Sequence, residues 1–147
     1  MDIVIDFDGT VVTHEYPEIG KDIGAESILK ELVTNGHRLI LFTMRSDNFE
    51  KDNSSINGRT KNTRNYLTEA VSWFNEREIP LFGIQINPEQ VEWTTSPKAH
   101  GQLIIDDSAL GCPVTNYSKE LNVIDNYKPF VDWIKVRKLL VEMGLLN

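Results

Sequence analysis

The stretch MDIVIDFDGTVV, residues 1–12, decides how the rest of the chain is interpreted. Its apolar run, residues 3–5, is continuous rather than alternating, which is typical of a strand buried on both faces of a sheet. The run ends at Asp6, and Asp8 follows two positions later, before a Gly-Thr pair that favours a tight turn. The stretch therefore predicts a buried first strand that delivers two carboxylates at its carboxyl end.

Beyond this strand, apolar segments of strand length and helix length alternate along the chain. We predict strands at residues 37–43, 81–86, 102–106 and, in a shorter form, 121–125, and helices at residues 25–35, 62–78 and 129–143. Strands that alternate with helices indicate parallel βαβ units whose sheet is covered on both faces. We therefore expect an α/β protein with a three-layer α/β/α Rossmann-like fold and a central parallel sheet, formed as one domain over residues 1–147.

Composition and charge narrow the class of function. A chain of 147 residues with 40% hydrophobic residues can bury one ordinary core, and its net charge of -7 argues against nucleic acids and anionic membranes as partners. No apolar run approaches the roughly 20 residues of a membrane-spanning helix, and the first strand follows Met1 too closely for a signal peptide. Cys112 is the only cysteine, so no intrachain disulfide is expected. We expect a cytoplasmic protein that acts on small molecules.

Polar side chains gather at the carboxyl edge of the predicted sheet, where ligands bind in folds of this class. They are Asp6, Asp8, Gly9 and Thr10 after the first strand, Thr43 after the second, Lys98 in the loop before the fourth, and Asp106 and Asp107 at the end of the fourth. Converging carboxylates repel one another unless a cation lies between them. Oxygen ligands of this kind suit Mg²⁺, and a cation beside a lysine and a threonine is complementary to phosphate. We therefore expect Mg²⁺ as cofactor and a phosphorylated small molecule as substrate.

Two of these carboxylates have the positions that phosphoryl transfer needs. Asp6 is placed to attack phosphorus as a nucleophile, which gives an aspartyl-phosphate that water later hydrolyses. Asp8 lies just beyond the strand and can protonate the leaving oxygen and then deprotonate the water. Gly9 lets the backbone turn tightly and approach the phosphate.

The segment DFDGTVV, which starts at Asp6, resembles the first motif of the haloacid dehalogenase-like (HAD) superfamily of phosphatases. LILFTMRS, residues 39–46, is similar to the second motif, Lys98 fits the third, and LIIDD, residues 103–107, fits the aspartate pair of the fourth. The four motifs occur in the family's order and spacing over residues 1–107. The resemblance implies an HAD-like fold and a hydrolase acting on phosphoric monoesters. Because the dehalogenase branch of the family lacks the second aspartate, Asp8 favours a phosphatase.

The resemblance also implies a role for each matching residue. Asp6 corresponds to the nucleophile, and Asp8 corresponds to the acid and base. The implied metal ligands are Asp6, the main-chain carbonyl of Asp8, and the pair Asp106 and Asp107, of which Asp107 is the first choice. The implied phosphate-holding residues are Thr43 and Lys98, and the wider substrate- and phosphate-binding set adds Gly9, Thr10, Met44 and Arg45. For Arg45, a solvent-exposed surface position is the alternative.

The spacing of the motifs leaves no room for a large cap domain. The window at residues 13–20 holds only a flap-sized loop, in which His14 and Tyr16 are placed to contact substrate. The window at residues 44–98 is occupied by a helix and a strand that the core itself requires. We therefore expect a capless or minimally capped protein. Three alternatives follow for an open site of this kind: it accepts a large substrate, it is covered by a neighbouring subunit of a homo-oligomer, or the polar loop at residues 44–61 acts as a lid.

Three functions remain as alternatives. The first is a phosphatase acting on a small metabolite such as a sugar phosphate or a nucleotide. The second is a polynucleotide-end phosphatase, an activity found among capless members of the family, although the acidic charge argues against it. The third is a non-catalytic module that binds a phospho-ligand or acts as a phospho-receiver. A receiver needs an acceptor aspartate at the end of the third strand, and that strand ends at Gln85, Ile86 and Asn87.

Overall fold

The protein is described by a computed structural model that covers residues 1–47, 64–119, 121–125 and 128–147. Four strands form its central sheet: β1 (Asp2–Ile5), β2 (Arg38–Leu41), β3 (Leu81–Ile84) and β4 (Leu103–Ile105). Their order is β3-β2-β1-β4 and every neighbouring pair is parallel. The order reverses at β1, which places the switch point, the usual ligand site of such sheets, at the carboxyl ends of β1 and β4. The predicted fold class, a Rossmann-like α/β fold with a central parallel sheet, is confirmed.

Three helices cover one face of this sheet: α1 (Ala25–Thr34), α2 (Tyr66–Glu76) and α3 (Trp133–Glu142). Buried side chains of all three helices join one core cluster with residues 3 and 5 of β1. Helix α1 shows why these segments are helical, because Ile28, Leu29 and Leu32 recur at helical spacing and are buried. The helix ends at Thr34, and Gly36 follows with a φ of +82°, a conformation that glycine adopts without strain.

The other face of the sheet carries a thinner layer. Val4 and Ile40 are buried there against Ala99, and Phe82 packs at the edge of this small cluster. The covering segment, residues 87–101, contains a short 3-10 helix (Pro88–Glu92) instead of an α-helix. Two buried amides, Asn87 and Gln90, satisfy its backbone: their side chains accept from Glu89 N (2.9 Å) and His100 N (2.8 Å), respectively. The layer expected on this face is therefore present but is not helical.

In the part of the chain that the structure describes, four short strands lie outside the central sheet: β5 (Val114–Thr115), β6 (Tyr117–Ser118), β7 (Val123–Ile124) and β8 (Phe130–Val131). They form two antiparallel pairs, β5 with β8 and β6 with β7. The strand predicted at residues 121–125 is thus shorter and belongs to one of these pairs. The predicted helix start at Pro129 is wrong, because Phe130 is in an extended strand and Asp132 caps the helix by accepting from Lys135 N (3.1 Å).

Parts of two sequence predictions lie outside the described residues. Of the predicted polar loop at residues 44–61, residues 48–61 are not described, and neither are the first two residues of the helix predicted at 62–78. Among the helices in the described ranges, none is long and apolar enough to cross a membrane.

The amino edge of the sheet holds an ion pair whose carboxylate, Asp2, is buried, and this carboxylate makes stability depend on pH. Asp2, only 5% exposed, accepts from Arg38 Nε (2.6 Å) and Nη2 (2.8 Å) and from Asn87 Nδ2 (3.0 Å). The hydrogen bond from Arg38 is the main cause that lowers the pKa of Asp2 below its usual value of 3.8. A carboxyl with a lowered folded-state pKa stabilises the protein above its unfolded-state pKa, and this stabilisation is lost as the pH falls through the folded-state value.

We therefore expect Asp2→Asn to lower the free energy of unfolding by about 1–3 kcal/mol at pH 7. The difference from wild type should shrink as the pH falls from the unfolded-state pKa of about 4 through the lower folded-state pKa of Asp2. Urea unfolding across this pH range measures both. The matched control is Glu89→Gln, since Glu89 binds the same arginine but its side chain is 61% exposed, and we expect a change below about 0.5 kcal/mol. An equal loss in both variants would contradict the role of burial.

Candidate functional site

Three carboxylates meet at the switch point of the sheet. Asp6 directly follows β1, and Asp106 and Asp107 directly follow the neighbouring strand β4. One carboxylate oxygen from each residue lies within 4.8 Å of the others, and all three residues are partly buried. The backbone bond from Asp6 N to Ile105 O (3.1 Å) keeps the two strand ends side by side. The structure therefore brings together the three carboxylates that the sequence predicted as metal ligands.

The turn after Asp6 holds this acidic cluster in place. Thr10 is fully buried, and its hydroxyl lies 3.1 Å from Asp6 Oδ2, to which it donates, while it accepts from Asp107 N (3.0 Å). The Thr10 carbonyl in turn accepts from the Trp133 indole (2.7 Å). Thr10 was predicted to bind phosphate; in the structure its buried hydroxyl links the Asp6 carboxylate to the backbone N-H of Asp107.

Gly9 has a positive φ of +81° and makes room for the ring of His14. A Cβ atom at this position would collide with that ring, so the turn requires glycine for space as well as for conformation. The Gly9 N-H donates to Val12 O (2.7 Å). The prediction that Gly9 permits a tight turn is met, but its amide is already used and is not available to phosphate.

Burial and mutual repulsion make the cluster a poor place for uncompensated negative charge. The pKa of Asp6 is raised to about 7, mainly by burial. The negative charges of Asp106 and Asp107 also raise this pKa, whereas hydrogen bonds from the Phe7 backbone and from Thr10 lower it. Burial also raises the pKa of Asp107, an effect that the nearby His14 partly opposes. Three oxygen donors that need a counter-charge fit a hard divalent cation such as Mg²⁺. This donor set does not distinguish Mg²⁺ from Mn²⁺.

The cluster opens into a pocket of about 530 Å³. Its walls are formed by Asp6, Asp8, His14, Tyr16, Thr43, Met44, Arg45, Asp106, Asp107, Ser108 and Lys128. Thr43, predicted to hold phosphate, lies here, and Gln85 fixes its backbone by accepting from Thr43 N (2.9 Å) and donating to Thr43 O (2.6 Å). Met44 also lines the pocket and is 97% exposed. These two predicted residues are thus next to the acidic cluster.

Arg45 is buried rather than exposed, and it binds Asp8. Its side chain is 1% exposed, and Nε and Nη2 each lie 2.7 Å from a different oxygen of the Asp8 carboxylate. The same guanidinium donates to the carbonyls of Pro17 (3.2 Å) and Glu18 (2.8 Å) in the flap loop. The surface alternative for Arg45 is therefore wrong. Its donors are already paired with protein groups, which leaves little capacity for the predicted contact with phosphate.

The structure does not bring Lys98 to this pocket. Its side chain is exposed, and its carbonyl accepts from Gln90 Nε2 (3.1 Å). The adjacent Ala99 packs against Val4 and Ile40 on the thinner face of the sheet. The structure therefore does not place Lys98 among the residues that line the pocket, and its role in holding phosphate stays a prediction.

Sequence reasoning missed the contribution of the segment before α3. Lys128 lines the pocket, and the carbonyl of Pro129 lies 3.0 Å from His14 Nε2. The same His14 nitrogen lies 3.3 Å from Asp107 Oδ2, so the flap histidine does reach the acidic cluster. A Lys-Pro-aromatic sequence directly before a helix cap was the available signal, but its position after the fourth motif separated it from the other candidates.

The acidic cluster leads to a prediction on metal binding and pH. We expect Mg²⁺ at about 100 times its dissociation constant to raise the free energy of unfolding by about 2.7 kcal/mol. Because the cation must displace protons from carboxyls with raised pKa values, its apparent affinity should fall by up to about tenfold per pH unit below pH 7. Calorimetric titration at pH 6 and pH 8 tests this. Asp107→Asn should lose most of the stabilisation by Mg²⁺. The exposed Glu142→Gln, which makes the same change in charge, should keep it.

No protein-family model matches the chain, and no curated protein matches it. Its fold is similar to a solved structure, that of a conserved protein from Bacteroides thetaiotaomicron. The two share 29% sequence identity with a TM-score of 0.65, over 97% of this chain and 91% of that chain. The chain is therefore similar, over nearly its whole length, to a conserved bacterial protein of the same α/β architecture.

Proposed function

We propose that the protein is an HAD-type phosphatase, a Mg²⁺-dependent hydrolase that cleaves phosphomonoesters through an aspartyl-phosphate on Asp6. One observation carries the proposal: Asp6 at the tip of β1 meets Asp106 and Asp107 at the tip of β4, while Asp8 lines the same pocket. A nucleophile, a metal-binding carboxylate pair and a second carboxylate for proton transfer are then within one cavity. This is the group set that phosphoryl transfer through a carboxylate requires.

Asp6 supplies the nucleophilic oxygen. Thr10 donates to Asp6 Oδ2 and so fixes the rotation of the carboxylate. In the first step an Asp6 oxygen forms a bond to phosphorus as the bond to the leaving alcohol breaks; in the second, water attacks the aspartyl-phosphate and releases inorganic phosphate, which regenerates the carboxylate. Bound at Asp6, Asp106 and Asp107, a divalent cation would neutralise charge on the phosphoryl oxygens.

Asp8 handles the protons of both steps. Arg45 binds both Asp8 oxygens and orients the carboxylate, yet each oxygen keeps a second lone pair for a proton. The leaving alcohol takes a proton from Asp8 in the first step, and the attacking water returns one in the second. Arg45 acts as the positioning residue that keeps Asp8 beside Asp6 in both steps.

The pocket suits a small phosphorylated metabolite. Its volume of about 530 Å³ is within the range of small-molecule sites. Its acidic lining and the net charge of -7 disfavour a long polyanion, so a polynucleotide end is a weaker candidate than a sugar phosphate or a nucleotide.

The proposed function is tested by phosphate release from a panel of phosphorylated metabolites, an aryl phosphate and a 3′-phosphorylated oligonucleotide. We expect turnover of at least one small substrate with Mg²⁺, loss of turnover with EDTA, and recovery when Mg²⁺ is restored. Turnover of the oligonucleotide alone would reassign the substrate class. No metal-dependent turnover of any compound would contradict the phosphatase and favour the phospho-ligand binding module.

A further inference from the structure

The segment at residues 128–133 is fastened directly to the loop that follows Asp6. Three bonds join the two segments: Val131 N to Gly9 O (2.8 Å), Trp133 Nε1 to Thr10 O (2.7 Å) and Pro129 O to His14 Nε2 (3.0 Å). Phe130 is 1% exposed and Trp133 is 2% exposed, so the segment is also anchored in the core. Lys128, its first residue, is consequently held at a fixed place relative to the acidic cluster.

One buried carboxylate positions Lys128 together with the flap. Asp125 is 6% exposed, and its Oδ1 accepts from the backbone N of Lys128 (3.1 Å). Its Oδ2 accepts from the backbone N of His14 (3.2 Å). Asn116 adds a bond to the Asp125 carbonyl (3.1 Å). Asp125 therefore ties the two chain segments that border the pocket on this side.

Beside the proposed Mg²⁺, a phosphoryl group also needs a side-chain cation, and the predicted residues do not supply one from the described lining. Arg45 is bound to Asp8 and to two carbonyls, and Lys98 does not line the pocket. Lys128 lines the pocket, and its charge is near enough to lower the pKa of Asp107. Within the described parts of the chain, its ammonium group forms no hydrogen bond, so its three donors are available to a ligand.

We propose that Lys128 is the lysine that binds the substrate phosphoryl group, and that Asp125 is the positioning residue that presents it. The inference rests on the proposed function, since phosphate is the anion in question. A phosphoryl group bound at Asp6 carries negative oxygens, of which a divalent cation at the acidic cluster would neutralise only part, so an ammonium group beside them adds to the binding. Lys128 provides that ammonium group from the segment after the fourth strand rather than from the loop before it.

The test compares Lys128→Ala and Lys128→Arg with Lys98→Ala, the rival position, and with Lys138→Ala, an exposed control on α3. Two quantities are measured with Mg²⁺ present: kcat/KM on the best substrate, and the dissociation constant of inorganic phosphate by calorimetry. We expect Lys128→Ala to lower kcat/KM by about 10²–10³-fold and to weaken phosphate binding at least tenfold. Lys128→Arg should recover part of both, and Lys138→Ala should stay within about twofold of wild type.

Each outcome separates this inference from the proposed function. If wild type turns over substrate and Lys128→Ala matches it, or if Lys98→Ala carries the loss, the assignment of Lys128 is overturned while the phosphatase stands. If wild type binds phosphate without turnover and Lys128→Ala abolishes that binding, the assignment holds while the phosphatase fails. If wild type neither turns over substrate nor binds phosphate, both are overturned.

The role of Asp125 is tested by a double-mutant cycle on phosphate binding. If Asp125 acts through Lys128, Asp125→Asn should weaken phosphate binding several-fold in the wild-type background and leave it unchanged in the Lys128→Ala background. A general structural defect would weaken binding equally in both backgrounds, and that result would overturn the positioning role. Thermal unfolding of each variant confirms that the folded protein is being compared.

Discussion

Asp6→Asn is expected to abolish phosphate release while making the metal-free protein more stable. Turnover should fall by about 10⁴-fold or more, because the amide has no anionic oxygen with which to attack phosphorus. Stability should rise because burial and the neighbouring carboxylates raise the pKa of Asp6 to about 7, well above its value of 3.8 in a model peptide. Ionisation of this carboxyl therefore lowers the free energy of unfolding, and an amide at the same position avoids that loss of stability.

The sign of the stability change depends on pH. A carboxyl whose folded-state pKa is raised destabilises the fold as the pH rises from its unfolded-state pKa to its folded-state pKa, and the cost is complete above that value. In EDTA at pH 8, we expect the free energy of unfolding of Asp6→Asn to exceed that of wild type by on the order of 2 kcal/mol. Near pH 4 the two free energies should be nearly equal. Urea unfolding at both pH values measures the difference.

Mg²⁺ should reduce this difference in the free energy of unfolding, because the cation stabilises wild type and the variant lacks one of its ligands. The exposed Glu142→Gln serves as control for the removal of one negative charge, and it should change neither turnover nor unfolding by a measurable amount. A destabilised Asp6→Asn at pH 8 would contradict the repulsion within the cluster. Persistent turnover would contradict attack by Asp6.

The sheet and the acidic cluster could be predicted from sequence because both depend on local signals. A continuous apolar run identifies a buried strand, and the residue that follows it must lie at the carboxyl edge. Asp6, Asp106 and Asp107 each follow such a run, so their meeting requires only that β1 and β4 be neighbours. The turn at Gly9 was equally accessible, since a chain that reverses directly after a strand needs a residue tolerant of positive φ.

Lys98 shows where this reasoning fails. A residue five positions before a parallel strand lies near the amino end of that strand, unless a helix returns the chain to the other edge. Here the crossing from β3 to β4 contains only a 3-10 helix and loop, and Lys98 precedes Ala99, which packs on the thinner face of the sheet, away from the pocket lining. Similarity to a motif assigned the residue type and its order, but not its position relative to the pocket.

The start of α3 and the position of Arg45 depended on tertiary contacts that local patterns do not encode. Phe130 and Val131 fit a helical pattern, yet they are extended because they pair with β5 and with Gly9. Arg45 was predicted to bind phosphate, with an exposed surface position as the alternative, since burial of a guanidinium requires partners for its donors. Those partners come from Asp8 and from two flap carbonyls that are distant in sequence. The residues next to Phe130 or Arg45 in sequence do not reveal these partners.

Arg45 makes the buried contacts whose loss should affect stability most. Its side chain is 1% exposed, and its guanidinium binds both oxygens of Asp8. It also donates hydrogen bonds to the carbonyls of Pro17 and Glu18 and lies 5.2 Å from the ring centroid of Phe7. Removing one partner of a buried ion pair leaves an uncompensated charge in a poorly solvated place, which costs more than the pair itself contributes. The flap loop would lose its attachment to the second strand at the same time.

We therefore expect Arg45→Met to lower the free energy of unfolding by about 3–5 kcal/mol, and Arg45→Lys to lower it by less, since lysine keeps the charge without the bidentate geometry. The matched control is Arg137→Met. Arg137 makes the same bidentate bond to Glu31 (3.0 and 2.7 Å), but its side chain is 41% exposed, so the loss should stay below about 1 kcal/mol. Urea unfolding of the three variants decides the matter: equal losses in Arg45→Met and Arg137→Met would show that burial does not set the cost of breaking the ion pair.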